Sequence, residues 1–223
     1  MKYFLFFLSW CIVGCAPALK DVVSDPEIIG LMDQNQEKIK SLRGMARVYF
    51  SLPEGKGTVE AIAVVQKPRS LRLETGNFFG FPLTAFTLRQ NAFEYYVIPE
   101  EKVYVGSLKD VSFNHIFPFS IDIQDLMNIF LFSKKSLKHP KTYKLHFMRI
   151  EQRGNLYYPL EMRMTDASLN HFIHWTWQEV ELNPKALSKE VFELKKPKHA
   201  RVVPLPTQKT VPMIFTEEGA QEP

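Results

Sequence analysis

The sequence predicts a mainly β protein of the α+β class, an antiparallel sheet of about nine or more strands curled into an incomplete barrel. Apolar and polar residues alternate along most of residues 45–182, and turn residues such as Pro, Gly and Asn separate the alternating stretches. Apolar residues recur at helical spacing in one segment before the sheet and in one near its middle. A sheet of this size must curl or close, and helices on its concave face would cover the apolar interior.

The first residues have the pattern of a signal peptide. A short basic start, Met1-Lys2, is followed by the apolar run Tyr3–Val13, and Gly14 precedes Cys15. The run is too short to span a bilayer, which needs roughly 20 apolar residues in a helix. Its end resembles the lipobox of bacterial lipoproteins, in which the cysteine is lipidated and the preceding peptide is removed. The alternative is an ordinary secretory signal in which Cys15 is incidental.

The lipobox resemblance implies a location. Residues 1–14 would be the signal peptide, and residues 15–24 would form a tether attached to lipid through Cys15. In lipoproteins of this kind an aspartate directly after the cysteine favours the inner membrane, and Ala16 stands there instead. We therefore expect attachment to the outer membrane, facing the periplasm. Cys11 would leave with the signal peptide, so the mature chain would contain no disulfide.

Composition and motifs argue against several classes of function. The formal net charge of +4 is mild and the basic residues are scattered, which does not predict a nucleic-acid partner. The sequence contains no GxSxG, P-loop, GxGxxG or HExxH motif, so we expect no enzyme, no cofactor and no metal site. His171 and His174 are three apart and would lie on opposite faces of a strand.

The chain after the tether begins with a helix and continues with strands. Asp25 is the predicted N-cap of the helix, Pro26 is its first residue, and apolar residues recur at helical spacing to about Lys40. The period then changes to two, which predicts six strands: Met45–Leu52, Thr58–Gln66, Ser70–Thr75, Leu83–Gln90, Phe93–Ile98 and Val103–Gly106.

A second helix interrupts the strands. The segment Ile121–Phe132 has helical length and no turn signal, and Asp122 and Asp125 suit its first turn. Four more strands are predicted after it: Tyr143–Gln152, Leu156–Ala167, His171–Leu182 and Val191–Leu194. The sheet domain would then cover residues 25–196. The Pro-rich residues 197–223 predict a mostly unstructured tail.

Short motifs within this order of elements carry a family resemblance. They are Ser41–Gly44, Leu71–Glu74, Tyr158–Glu161 and Val191–Pro197. Together they resemble the LolA/LolB lipoprotein-carrier superfamily, and within it the outer-membrane LolB-like branch, over roughly residues 28–203. The resemblance implies an incomplete β-barrel with a helical lid, whose cavity accepts the acyl chains of lipoproteins.

That resemblance also implies partners and a function. The protein would take acylated lipoproteins from a LolA-like periplasmic carrier and place their chains in the lipid bilayer of the outer membrane. The alternative is a structural or amphiphile-binding lipoprotein of the envelope that uses the same fold without transfer.

The loop Gly76–Pro82 is apolar where loops are normally polar. It contains Phe78, Phe79 and Phe81, and exposed aromatic residues need a reason. In LolB-like proteins a loop at this place inserts its apolar tip into the bilayer, and Phe79 corresponds to the tip. Tethered phenylalanines of this kind can enter the leaflet that holds the anchor. The alternative is that the rings fold back and plug the end of the barrel.

Candidate residues for an acyl-binding cavity lie on the late hairpin and on the inserted helix. Methionine side chains are flexible and suit a site for varied acyl chains, although Met and a helical apolar stripe also serve ordinary core packing. The candidates are Met148, Met162 and Met164 on the hairpin and Leu126, Met127, Ile129 and Phe130 on the helix.

Overall fold

The computed structural model describes residues 26–35, 38–108, 116–117, 119, 121–133, 143–166 and 170–205. The predicted signal peptide, Cys15 and the tether lie outside these residues, as does the tail from residue 206 onward. Within the described ranges, no helix is long and apolar enough to cross a bilayer.

The described residues form two α-helices, ten strands and a short 3-10 helix, Lys189–Phe192. In chain order the helices and strands are α1 (Pro26–Gln34), β1 (Ser41–Leu52), β2 (Gly55–Gln66), β3 (Ser70–Gly76), β4 (Pro82–Arg89), β5 (Ala92–Val97), β6 (Lys102–Ser107), α2 (Ile123–Phe130), β7 (Tyr143–Arg153), β8 (Leu156–Asp166), β9 (Phe172–Leu182) and β10 (Arg201–Pro204).

All ten strands belong to one sheet, in the order β10-β6-β5-β4-β3-β2-β1-β9-β8-β7. Each neighbouring pair is antiparallel except β10 and β6, which are parallel. The edge strands β10 and β7 do not pair, so the sheet is curled and not closed into a barrel. This confirms the predicted fold class, with the addition that β10 makes the sheet mixed.

The period-two pattern produces one continuous core on the concave face. In β1, Ala46, Val48 and Phe50 are buried while the intervening residues are exposed. Val48 pairs with Val59 of β2 and with Trp175 of β9, so the buried rows of neighbouring strands are in register. A one-residue slip would turn every one of these side chains outward.

The first helix is shorter than predicted, because it ends at Gln34 and not near Lys40. The side chain of Asn35 explains the early end. Its Oδ1 accepts a hydrogen bond from Tyr157 N at 3.0 Å, and its Nδ2 donates to the carbonyl oxygen of the same residue. Asn35 is only 3% exposed, so it ties the end of α1 to the start of β8.

The C-terminal part differs from the prediction. The predicted strand Val191–Leu194 is wrong, since a 3-10 helix stands there. Arg72 of β3 holds it by donating to the carbonyl oxygens of Val191 at 2.8 Å and Glu193 at 3.2 Å. The predicted unstructured tail is also wrong at its beginning, because residues 201–204 form β10.

Residues 184–204 form a strap, which runs over the outer face of the sheet from the end of β9 to β6. A small second core lies beneath it, where Ala85, Tyr96 and Val103 are buried. Leu194 and Ala200 of the strap pack against this cluster. The strap therefore explains why β4 is buried on both faces although an ordinary curled sheet exposes its outer one.

Gly44 of β1 provides a test of the core on the concave face. A Cβ added there would lie 2.5 Å from the carbonyl oxygen of Glu179 and 2.8 Å from the ring of Trp177. We predict that Gly44→Ala lowers the free energy of unfolding by about 1–3 kcal/mol through overpacking. Urea denaturation followed by circular dichroism measures this.

Gly30 of α1 is the matched control, since nothing lies within 4 Å of a Cβ added there. Alanine favours a helix interior over glycine by about 0.5–1 kcal/mol, so Gly30→Ala should not destabilise the protein. Equal urea denaturation midpoints for Gly44→Ala and the unsubstituted protein would contradict the close contact expected for a Cβ at residue 44.

Two fully buried tyrosines predict how stability depends on pH. Burial raises the pKa of Tyr95 and of Tyr158 well above the usual 10. Above pH 10 the unfolded chain releases these protons and the folded protein keeps them, so the free energy of unfolding falls as the pH rises.

We predict a decrease of up to about 1.4 kcal/mol per pH unit for each tyrosine in this range. Urea denaturation at several values from pH 9 to pH 11.5 measures it, a range chosen around the usual tyrosine pKa of about 10. Tyr158→Phe removes one of the two groups and should make the slope shallower. An unchanged slope would show that Tyr158 is accessible to water.

Candidate functional site

The second helix lies over the concave face of the sheet. Its N-cap is Asp122, whose side chain accepts a hydrogen bond from Gln124 N at 2.7 Å, as its place in the sequence predicts. Its apolar side faces β9. The centre of the Phe130 ring lies 4.9 Å from the ring centre of Trp175 and 5.9 Å from that of Trp177. The helix therefore covers the interior of the curled sheet.

The C-terminal end of α2 is attached to the sheet by one buried hydrogen bond. Tyr158 OH of β8 donates to the carbonyl oxygen of Phe130 at 2.7 Å. That carbonyl belongs to the last helical turn, where backbone oxygens lack partners within the helix. Phe132 follows with φ 47°, a left-handed conformation that non-glycine residues rarely adopt. The end of α2 is thus held by a hydrogen bond at Phe130 and has a strained backbone at Phe132.

A cavity of about 30 Å³ lies between α2 and the sheet. This volume is enough for about one water molecule and far below the roughly 300–1,000 Å³ of ligand pockets. An acyl chain therefore needs more space than this conformation provides, through movement of α2 or of the lining side chains. The lining consists of Leu73, Phe117, Ile121, Leu126, Ile129, Phe130, Leu145, Met162, Met164, Ile173 and Trp175.

Five of the seven candidate cavity residues line this space, namely Leu126, Ile129, Phe130, Met162 and Met164. The other two lie elsewhere. Met127 is fully buried in the same core without lining the cavity.

Met148 lies on the outer face of the sheet. It pairs with Glu161 of β8, whereas the preceding residue, Phe147, pairs with the cavity residue Met162. Neighbouring residues of a strand point to opposite faces, and Met148 is accordingly half-buried on the outside. The structure thus separates Met148 from Met162 and Met164.

Several lining residues were not among the cavity candidates named from the sequence. Ile173 and Trp175 share a face with Trp177, which the alternation indicates, and Leu145 follows the same rule. Leu73 comes from β3, so only the strand order brings it near β8 and β9 across the concave face.

The strands of the sheet end at two rims. We call the one with the β1–β2, β3–β4, β5–β6 and β8–β9 connections the upper rim, and the opposite one the lower rim. Each strand residue that lines the cavity lies within four residues of the upper-rim end of its strand. At about 3.3 Å per residue, all of these lining residues therefore lie within roughly 13 Å of this rim.

The aromatic loop between β3 and β4 projects from the upper rim. Phe78, Phe79 and Phe81 are 70%, 80% and 67% exposed. The rings therefore do not fold back to plug the barrel, which was the alternative interpretation of the sequence. Exposed rings grouped in this way are typical of a surface that contacts a partner or a membrane.

Hydrogen bonds within the loop fix this conformation. Asn77 Oδ1 accepts from the backbone N–H groups of Phe79 and Phe81, both at 3.0 Å. Asn77 N also donates to the carbonyl oxygen of Phe81, and Gly80 N to that of Asn77, each at 2.9 Å. Gly80 has φ +83°, which glycine adopts without strain. The loop is thus a preformed turn that presents three aromatic rings.

The lower rim is polar by contrast. An open cleft of about 670 Å³ lies there, between α2 and the β2–β3 and β4–β5 turns. Two cationic side chains, Lys67 and Arg69, line it together with Gln90, Asn91, Gln124, Asn128 and Ser133. The aromatic loop of the upper rim and this cleft of the lower rim therefore differ in character.

Sequence comparison identifies no relative, since the chain matches no protein-family model and no curated protein. Solved structures with the same fold exist. A DUF1329 family protein from Desulfovibrio piger is 13% identical, with a TM-score of 0.54, and the match covers 75% of this chain and 95% of that one.

Two further structures match to a similar degree. A LolA superfamily protein from Nitrosomonas europaea is 7% identical, with a TM-score of 0.50, over 75% of this chain and 96% of the other. A domain from Vibrio parahaemolyticus, described as that of an outer membrane lipoprotein-sorting protein, is 11% identical, with a TM-score of 0.50, over 74% and 94% of the two chains. The chain therefore has the fold of LolA-superfamily proteins.

Proposed function

We propose that this protein is an outer-membrane lipoprotein that binds acyl chains and helps to insert lipoproteins into the outer membrane. Lipid on Cys15 would hold it at the membrane, facing the periplasm. Acyl chains would lie between α2 and the concave face of the sheet. Phe78, Phe79 and Phe81 would enter the bilayer that receives the cargo. The transfer needs no covalent step and no cofactor.

The observation that carries the proposal is the position of the cavity and the aromatic loop at the same rim. Leu73 lines the cavity, and the same strand continues into the loop that contains Phe78. The five residue steps from Leu73 to Phe78 span about 16 Å of extended chain. If the rings enter a bilayer, the nearer end of the cavity therefore faces the lipid surface, and a chain that leaves the cavity has only a short distance to cross.

The fold supports the proposal because the structural neighbours include a LolA-superfamily protein and a domain described as lipoprotein-sorting. The cargo would come from a LolA-like periplasmic carrier. One-way transfer follows if the cavity holds acyl chains more tightly than the carrier does and less tightly than the bilayer.

The small size of the cavity favours a second candidate function. With only about 30 Å³ of free space, the described state is closed. A protein that stays closed would be a structural lipoprotein of the envelope with the same fold. Binding experiments therefore separate the two candidates.

The loop is tested by Phe79→Glu in the mature chain with Cys15→Ala, which removes the anchor. We predict at least tenfold weaker binding to phosphatidylethanolamine/phosphatidylglycerol vesicles, since one buried phenylalanine contributes about 1.5–3 kcal/mol. Vesicle flotation measures binding, and circular dichroism checks that the fold is kept.

Ile62→Glu is the matched control, because Ile62 is a 44% exposed apolar residue on the outer face of β2. This variant should bind vesicles as the unsubstituted protein does. If Phe79→Glu binds equally well, the aromatic loop is not the membrane contact.

The cavity is tested by Met164→Lys with Met148→Lys as its control. Met164 lines the cavity, whereas Met148 lies on the outer face of the neighbouring strand. We predict that Met164→Lys abolishes the binding of acyl chains, because an unpaired charge would be buried among apolar groups. Met148→Lys should leave binding unchanged.

Native mass spectrometry of the purified chain, with and without added acylated peptide, measures this binding. Melting temperatures of both variants establish that they fold. An unsubstituted protein that refuses acylated peptide would favour the structural candidate.

A further inference from the structure

One polar group in the wall of the apolar cavity has no partner. Trp175 lines the cavity and is 4% exposed, and its indole Nε1 is buried without a hydrogen-bond acceptor among the described residues. A buried tryptophan N–H usually finds an acceptor, because leaving it unpaired opposes folding. Trp177 Nε1 is likewise buried and unpaired among the described residues, but of the two only Trp175 lines the cavity, where a bound ligand could supply the acceptor.

The rest of the lining defines what that acceptor is. Every other described residue of the lining has an aliphatic, phenylalanine or methionine side chain, so within this part of the chain only Trp175 offers the cavity a side-chain N–H donor. Among the described residues no lysine or arginine lines the cavity, and a carboxylate or phosphate buried against this lining would lack a counter-charge. The complementary ligand group is therefore an uncharged oxygen acceptor attached to an apolar chain.

We propose that Trp175 Nε1 donates a hydrogen bond to the carbonyl oxygen of an acyl ester or acyl amide whose chain occupies the cavity. The inference rests on the proposed function and adds to it a preference for one chemical class of ligand. The site distinguishes neutral acyl linkages from ether-linked chains of the same length, which lack the carbonyl, and from free fatty acids, which carry a charge.

The position of Trp175 agrees with this role. It is three residues from the start of β9 at the upper rim, or about 10 Å along the strand. It pairs with Met162 of β8, another lining residue. Its ring contacts Phe130 of α2, so the side chain lies where the helix meets the sheet.

The test uses the mature chain with Cys15→Ala and two probes of equal chain length, monopalmitoylglycerol and hexadecylglycerol ether. Titration calorimetry below the micellar concentration gives both dissociation constants. We expect the ester to bind about threefold to tenfold more tightly, the worth of one hydrogen bond. Trp175→Phe should bring this ratio to about one while the ether affinity changes little.

Trp177→Phe is the matched control and also a reporter. Trp177 contacts Trp175 at 5.2 Å between ring centres but does not line the cavity, so this variant should keep the ester preference. The mature chain then contains a single tryptophan, and its indole N–H signal in NMR should move downfield with the ester and not with the ether. This measurement stands even if Trp175→Phe fails to fold.

The outcomes separate the two proposals. Equal affinities for ester and ether in the unsubstituted protein would overturn the role of Trp175 and leave the acyl cavity intact. A preference that survives Trp175→Phe would overturn it as well. If neither probe binds, the acyl-carrier function itself fails, and the selection at Trp175 fails with it.

Discussion

The contact between α2 and the inner face of β9 is the interaction on which the rest of the structure depends. A ten-stranded curled sheet has a concave face too apolar to remain uncovered in water. Phe130 covers it by packing against both Trp175 and Trp177, and Tyr158 fixes the end of the helix through its hydroxyl group. The same helix is both part of the core and one wall of the cavity.

The second organising feature is the difference between the two rims. The upper rim combines a preformed aromatic turn with the nearer end of an apolar cavity, and the lower rim presents a polar cleft with Lys67 and Arg69. Under the proposed function, this difference would orient the molecule at a lipid surface.

The sequence predicted the fold well because its signals are local. Alternation and turn residues located nine of the strands to within a few residues, and Asp122 marked the start of α2. It failed where distant groups decide the structure. Asn35 ends α1 by bonding to Tyr157, and Arg72 holds the 3-10 helix within the strap. Each of these contacts joins residues more than 100 positions apart, so local sequence patterns do not indicate them.

The strap and β10 have a practical consequence for work on this protein. Because β10 runs parallel to β6, the chain passes from the upper rim at Arg201 to the lower rim at Pro204. Residue 205 is therefore at the end remote from the aromatic loop. A tag fused directly behind Leu205, in a chain shortened to that residue, would start from this remote end and leave the loop accessible, whereas an insertion in the β1–β2 or β5–β6 turn would stand beside the loop.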